Sequence, residues 1–357
     1  MIEYVFTKDR KWLDAWDLFV VKNPKGSHLI LSDWLQSYAA YGFEYELGLV
    51  LKHGEIIGGC GVVIPKFLFF KFYIIPHGPI YNGNHEGCFD THLSELKKQA
   101  LNRGCCYLQL SLPLSTEKSV ERHVYNSKRI NPLNQGFVSG KLFKYVYTTY
   151  GLNWINFYGI DNAETFLKKR SAKVRRNIRM PYNKNAKATF VTDEKSIEKG
   201  YQVILENANQ GGYALRSFKE FKGTILDLIA KKQAYFIICK VDNVIKAAAF
   251  FVETSGYITN IMGGVLREKP DIKLGYMLQY EIIKKSFEQG FNGYNISMGG
   301  SLGVQDFKSK FGAENIFYEN PHYHLVLNGF NFNLFKFFDS HLKPYKSKIS
   351  KLLSHLK

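Results

Sequence analysis

The chain has 357 residues, with 48 Lys+Arg against 31 Asp+Glu, a formal net charge of +17. Apolar residues make up 45% and charged residues 22%, which excludes intrinsic disorder for the bulk of the chain. A chain this long buries roughly three quarters of its unfolded surface and needs no disulfide or metal staple. The positive balance implies either an anionic partner (nucleic acid, a phosphorylated substrate or a membrane surface) or simply well-solvated lysines.

The first elements in chain order are a helix at 12–21, broken by Asn23-Pro24-Lys25-Gly26, and a second helix that Ser32 can cap, with Trp34 and Tyr38 one turn apart. A hairpin follows at 45–51 and 56–64 about His53-Gly54, then a strand at 67–75. A helix at 92–102 stops at Gly104 before a strand at 107–112. In the second half, a strand-like segment at 151–160 leads into a helix capped by Asp161 or Asn162. That helix carries Phe166, Arg170, Val174 and Ile178 on one face. Further helices are expected at 196–209, 217–231 and 276–288, with strands at 188–191, 235–240, 244–253, 257–262 and 293–297.

Alternating strands and helices place the fold in the α/β or α+β class. Both halves run helix, hairpin strands, helix, strand. The stretch around Gly104 echoes that around Gly290, a helix end, a glycine stop and a strand, as a repeated domain gives. The expected organisation is a domain at 1–150, a second at 151–329, and a basic amphipathic helical tail at 330–357. The tail's apolar stripe includes Leu334, Phe337, Phe338, Leu342, Ile349, Leu352, Leu353 and Leu356. It either lies on anionic lipid or packs on the body.

Five cysteines (Cys60, Cys88, Cys105, Cys106 and Cys239) show no CxxC or Cys/His ligand spacing, which argues against zinc and for reduced, buried thiols in a cytoplasmic protein. The N-terminal residues lack the apolar stretch of a signal peptide. Residues 62–76, the most apolar run, are broken by Pro65, Lys66 and Lys71 and are too short to span a bilayer.

Three segments hold chemistry. From Thr165 to Thr192 there are nine Lys/Arg and no acid; Arg175 and Arg179, a turn apart, suit a diphosphate or an RNA backbone. Residues 301–312 read as a glycine-bounded loop after Gly299-Gly300, in which Lys308 offers a compact charge for a phosphate or a developing oxyanion. Lys273 and Gly275 open a helix whose free N–H groups suit a pantetheine or nucleotide pyrophosphate. No Walker lysine, GxSxG or HExxH occurs.

Together these pieces resemble the FemABX family of peptidoglycan interpeptide-bridge aminoacyltransferases and the broader FemAB-like acyltransferases. The matching blocks are Ser32-Asp33-Trp34 through the Gly58–Val63 strand, Tyr73-Ile-Ile-Pro76-His77-Gly78-Pro79, the basic helix followed by Gly211-Gly-Tyr213-Ala-Leu-Arg216, and Tyr294-Asn-Ile-Ser-Met-Gly299-Gly300 running into Phe307-Lys308 and Phe311-Gly312. The resemblance implies two tandem GNAT-like domains, each a mixed sheet flanked by helices. It implies that Arg216 pairs with the diphosphate of the precursor and that Lys308 sits near the reacting carbonyl; Tyr213, Gly299, Gly300 and Phe307 in the matching blocks, with Arg175 and Arg179 of the basic helix, are the further candidate substrate-binding residues, and no metal or bound cofactor is expected.

The activity so implied is transfer of an aminoacyl group from aminoacyl-tRNA to an amine of a UDP- or lipid-linked cell-wall precursor, in the cytoplasm or at the inner membrane face. Two alternatives stay open: an acyl-CoA-dependent N-acyltransferase acting on a surface amino sugar, with Lys273 and Gly275 at the donor, and a non-catalytic RNA- or membrane-binding protein. Three departures from the family pattern stand out. His77 occupies a usual arginine position, Ser37 and Tyr38 follow Trp34 where a lysine is usual, and no long helical hairpin interrupts the second half.

Overall fold

The computed structural model describes residues 1–126 and 130–342. The first half supplies strands β1 (Ile2–Thr7), β2 (Glu44–Lys52), β3 (Glu55–Ile64), β4 (Lys66–Phe67), β5 (Phe70–Ile75), β6 (Ile80–Tyr81), β7 (Tyr107–Ser111) and β8 (Val138–Ser139). Its helices are α1 (Arg10–Lys22), α2 (Ser32–Gln36) and α3 (Phe89–Asn102). The second half supplies β9 (Gly151–Asn156), β10 (Lys187–Val191), β11 (Ala234–Val241), β12 (Val244–Thr254), β13 (Tyr257–Val265), β14 (Gly293–Asn295), β15 (Glu314–Phe317) and β16 (His322–Val326). Its helices are α4 (Ala163–Lys168), α5 (Ala172–Asn183), α6 (Glu194–Gln210), α7 (Phe218–Ala230), α8 (Leu274–Glu288), α9 (Leu302–Ser309) and α10 (Gly329–Phe337).

Two mixed sheets result, ordered β1-β2-β3-β5-β7-β16-β8 and β10-β11-β12-β13-β14-β9-β15. Each is an antiparallel meander with one parallel pair, β5 with β7 and β13 with β14. A crossover helix joins each parallel pair, as parallel strands require: α3 in the first sheet, α8 in the second. Gly104 and Gly290 end these helices with φ of +68° and +69°, the left-handed conformation that glycine adopts without penalty. The repeat echo in the sequence is therefore the crossover of two GNAT-like units.

The units share a core. Trp16, Leu35 and Leu47 from the first half are buried in one cluster with Phe221, Phe236 and Phe250 from the second. Two acids of the first half are tied across it: Lys231 after α7 reaches Asp17 at 2.9 Å and Asp33 at 2.5 Å, and both carboxylates are buried.

Several expectations are corrected here. Ser32 does not cap α2; it is the first helical residue, and its hydroxyl donates to Asp17 at 2.6 Å. The strand expected at 67–75 breaks at Leu68, with φ +56°, into the tight β4–β5 hairpin. The helix expected to run through Arg170 is two helices, because Ser171 breaks the chain and caps α5. Residues 301–312 are mostly the helix α9 rather than a loop.

Strand β16, which a boundary at 329 assigns to the second unit, pairs with β7 in the first sheet. After it, α10 buries Phe332 and Phe335 against Phe72, Tyr107 and Phe143, with ring centroids 4.5–6.1 Å apart. The described part of the tail thus packs on the body, while Ile349, Leu352, Leu353 and Leu356 lie outside the described residues. Among the described residues no helix is long and apolar enough to cross a membrane, and no cluster of three His, Cys, Asp or Glu could hold a metal ion. All five cysteines are free and buried.

Candidate active site

The site begins with a defect in the second sheet. Strand β13 pairs with β14 only from Tyr257 to Thr259. Its register against β12 then slips, so that Asn260 opposes Phe251 and Met262 opposes Phe250, with Ile261 bulged between them. A bulge bends a strand and ends pairing. Past it, β13 and the segment after β14 diverge, leaving a wedge of about 330 Å³. Gly264 lets α6 close one wall, since a Cβ there would lie 2.8 Å from Ile204 Cα.

The wedge is the middle of three joined cavities. Through Asn260, Ile261 and Ser297 it shares walls with a cavity of about 270 Å³ between the two halves, lined by His28, His77 and Arg216. Through Asn207, Val265, Gly275 and Phe307 it shares walls with an outer basin of about 580 Å³, lined by residues 265–276. The three cavities thus lie side by side as compartments of one trough, with shared walls between neighbours.

Lys308 lines the middle of this trough. Helix α9 carries it, and the Phe307 ring, 4.9 Å from Tyr276 and 5.3 Å from Phe311, anchors that helix. Its ammonium donates to Ser297 O at 2.8 Å and Gly299 O at 3.1 Å. Those carbonyls turn inward because Ser297, Gly299 and Gly300 have φ of +71°, +77° and +98°. A lysine carries three N–H donors, so one remains for a ligand among the described residues. Burial lowers its pKa from 10.5 to about 8, as desolvation does to a cation.

Arg216 stands in the inner cavity, just before α7, where Ser217 and Glu220 form a reciprocal capping box. Its guanidinium donates to Ser37 Oγ at 2.5 Å and lies about 5 Å from the rings of Tyr38, Tyr41 and Phe221. Stacking of this kind fixes a planar cation while leaving its edges free. His77 contributes a lone pair. Lys25 O can only accept, so the 2.8 Å contact makes His77 Nε2 the donor. Burial lowers the His77 pKa to about 4; the ring is neutral above that, and Nδ1, buried and without a partner, is an acceptor. Thr259 Oγ1 on the same cavity is also buried and unpartnered. His28 is lowered to about 3 by burial although part of its surface faces this cavity.

Among the residues expected from sequence, Lys308, Tyr213, Gly275 and Phe307 gather in the wedge and Arg216 in the adjoining cavity. Gly299 shapes the Lys308 cradle, and Gly300, where a Cβ would meet Val304 at 2.7 Å, lets α9 start close behind it. Lys273 lines the outer basin but is paired with Asp271.

The basic helix stands apart. Arg175 and Arg179 line a separate surface depression that shares no wall residue with the trough. Arg175 donates to Arg170 O at 2.6 Å and Lys168 O at 3.4 Å, closing the end of α4. Lys173, Arg176 and Arg179 remain exposed. Arg175 is thus a cap on α4, and it shares one depression with Arg179 away from the trough. Ser297, Thr259 and Asn260 were missed from sequence, and Ser37 was read there only as a departure from the family pattern. The legible hint was Gly263-Gly264 inside a strand, which marks close backbone approach.

The fold is two tandem GNAT-like units with a charged trough that begins between them and runs into the second. A family model described as the FemAB family matches residues 14–244, and the chain belongs to that family. No curated protein matches the chain significantly. A crystal structure of FemX superposes with a TM-score of 0.76 at 14% identity, covering 93% of this chain and 99% of that one. The structure of L-PGS from Bacillus licheniformis gives 0.54 at 12%, covering 94% and 96%. A tandem GNAT protein from the clavulanic acid biosynthesis pathway gives 0.50 at 10%, covering 92% and 99%. At these identities the likeness is one of fold.

Proposed function

We propose that the protein transfers an aminoacyl group from aminoacyl-tRNA to an amine of a peptidoglycan precursor. The observation that carries this reading is Lys308, a half-buried ammonium with one N–H to spare, set midway along a trough that has an arginine at its inner end. The chemistry forms a C–N bond to the acceptor amine and breaks the ester C–O bond of the donor, the departing ribose oxygen of the tRNA taking up the proton that the amine loses. The carbonyl oxygen gains charge on the way, and a fixed cation stabilises it. No protein nucleophile is required, because positioning two substrates supplies much of the rate.

Arg216 suits the diphosphate of the acceptor, and His77 Nδ1 suits an N–H or O–H beside it. The exposed Lys173, Arg176 and Arg179, within a net charge of +17, suit a polyanionic donor. A second reading keeps the fold and replaces the donor with an acyl-CoA. It is favoured by the splayed β13–β14 wedge opening onto the uncapped first turn of α8 at Leu274 and Gly275.

The test is to incubate the protein with UDP-muramyl-pentapeptide and charged tRNA, and in parallel with acetyl-CoA, and to read the acceptor's mass. A tRNA-dependent gain of one amino-acid residue supports the first reading, and an acetyl gain supports the second. No gain with either donor counts against both readings for this acceptor.

A further inference from the structure

One end of the molecule carries apolar side chains that the core does not use. The β4–β5 hairpin turns through Leu68 and Phe69, 40% and 62% exposed. Beside it, α10 exposes Phe330 and Phe337, at 78% and 52%, seven residues apart and so on one stripe of the helix. The two elements touch. Phe70 packs on Phe335 at 5.9 Å and on Phe338 at 6.0 Å, and Phe69 lies 4.1 Å from Phe70. The four exposed side chains therefore stand on adjacent elements, a patch rather than scattered surface residues.

The surroundings of this patch are basic. Lys66 is exposed at the hairpin base, and Lys336 lies over the Phe332 ring on α10. The chain then continues through residues 343–357, which hold Lys343, Lys346, Lys348, Lys351 and Lys357 and no Asp or Glu. The inner face of α10 already covers the first sheet through Phe332 and Phe335, so its outer face is left over from folding.

We propose that this end is a docking surface for an anionic lipid bilayer: Leu68, Phe69, Phe330 and Phe337 enter the boundary between headgroups and acyl chains, and the exposed Lys66 and Lys336 beside them face the lipid phosphates. Apolar insertion and basic charge are the two signals that together hold a protein peripherally. Charge selects this occupant over a second copy of the chain, because face-to-face pairing would bring together two chains of +17, each with Lys66 and Lys336 exposed at this end. The surface is independent of the proposed transferase chemistry, since no trough residue belongs to it.

The experiment sediments the full chain with phosphatidylcholine vesicles, and with vesicles containing roughly 30% phosphatidylglycerol, at low and high salt. The expected result is binding to the anionic vesicles only, weakened by salt and lowered roughly tenfold by the double variant Phe69→Ser/Phe337→Ser. Both side chains are exposed, so the variant's thermal midpoint should match the wild type, which separates lost docking from misfolding. Three outcomes overturn the proposal: wild type that stays in the supernatant with anionic vesicles, a double variant that binds as the wild type does, or a wild-type dimer in sedimentation velocity that the double variant abolishes. The last would make the patch an interface between copies.

Discussion

Arg216 of the second half donates to Ser37 Oγ of the first at 2.5 Å, with Tyr38 and Tyr41 each 5.1 Å from its guanidinium carbon. The inner cavity thus depends on both GNAT-like units: one supplies the cation and the other its hydroxyl and aromatic bed. Arg216→Ala should raise the KM for a diphosphate-bearing acceptor and lower kcat/KM by roughly 100-fold, the scale of a lost charge-assisted contact. Arg216→Lys keeps the charge but not the stacked plane, and should recover only part of this. Steady-state kinetics on both variants check it; equal recovery by lysine would show that charge alone matters.

Lys308 links activity to stability in opposite directions. Its folded pKa is about 8 against 10.5 for the free side chain. Below pH 8 the folded protein carries the unfavourable cost of a desolvated cation. As pH rises from 8 to 10.5 the unfolded chain holds the proton more often than the folded one, so this cost fades and the group's contribution to stability improves. Activity should move the other way, falling as pH climbs through 8 and the ammonium is lost. Lys308→Met should abolish most turnover while raising the thermal midpoint at pH 7. A variant that loses both activity and stability would show that the lysine is chiefly structural.

Much of this was legible from sequence, and the failures have physical causes. The crossover units α3–β7 and α8–β14 could be read because a glycine stop and a short apolar strand are local signals. Strand β16 could not, since pairing His322–Val326 with Tyr107–Ser111 is a contact more than 200 residues away in sequence. Arg175 as a helix cap was not legible, because composition shows charge and not partners. Its actual partners, the carbonyls of Lys168 and Arg170, exist only once Ser171 breaks the helix. Lys308 and Gly299 stand out by motif, but the bulge at Ile261 that opens their wedge follows from strand register, which the residues alone do not announce.

The two halves should come apart thermodynamically at Lys231. Its side chain bridges Asp17 and Asp33, both nearly fully buried. Lys231→Met leaves two carboxylates without their cation. Breaking a buried pair costs about 3–5 kcal/mol, and the partial exposure of Lys231 places the expected loss near the lower end. Urea denaturation measures it. Adding Asp17→Asn and Asp33→Asn should restore part of the loss, because the uncompensated charge is then gone. No restoration would mean that the lysine stem, rather than its charge, holds α7 in place.

Acid should unfold the protein through histidines that the fold keeps neutral. His77 is lowered to about 4 and His92 to about 3, both by burial, and they are 3% and 0% exposed. An unfolded histidine titrates near 6.5, so between about pH 4 and 6 the unfolded chain holds up to two more protons from this pair alone. Stability therefore falls with pH by about 2–3 kcal/mol per unit across that window. The lowered carboxyls of Glu44 and Asp271 add to the loss further down. His92 accepts from or donates to Tyr81 OH at 2.9 Å, while its Nε2 is buried without a partner. The double variant Tyr81→Phe/His92→Leu removes both polar partners together, which avoids stranding either one. It should flatten the acid slope by about one proton, read from urea midpoints measured between pH 4 and 7. An unchanged slope would mean that His92 takes up its proton in the folded state, and that its burial is looser than the packing against Tyr4 and Tyr81 indicates.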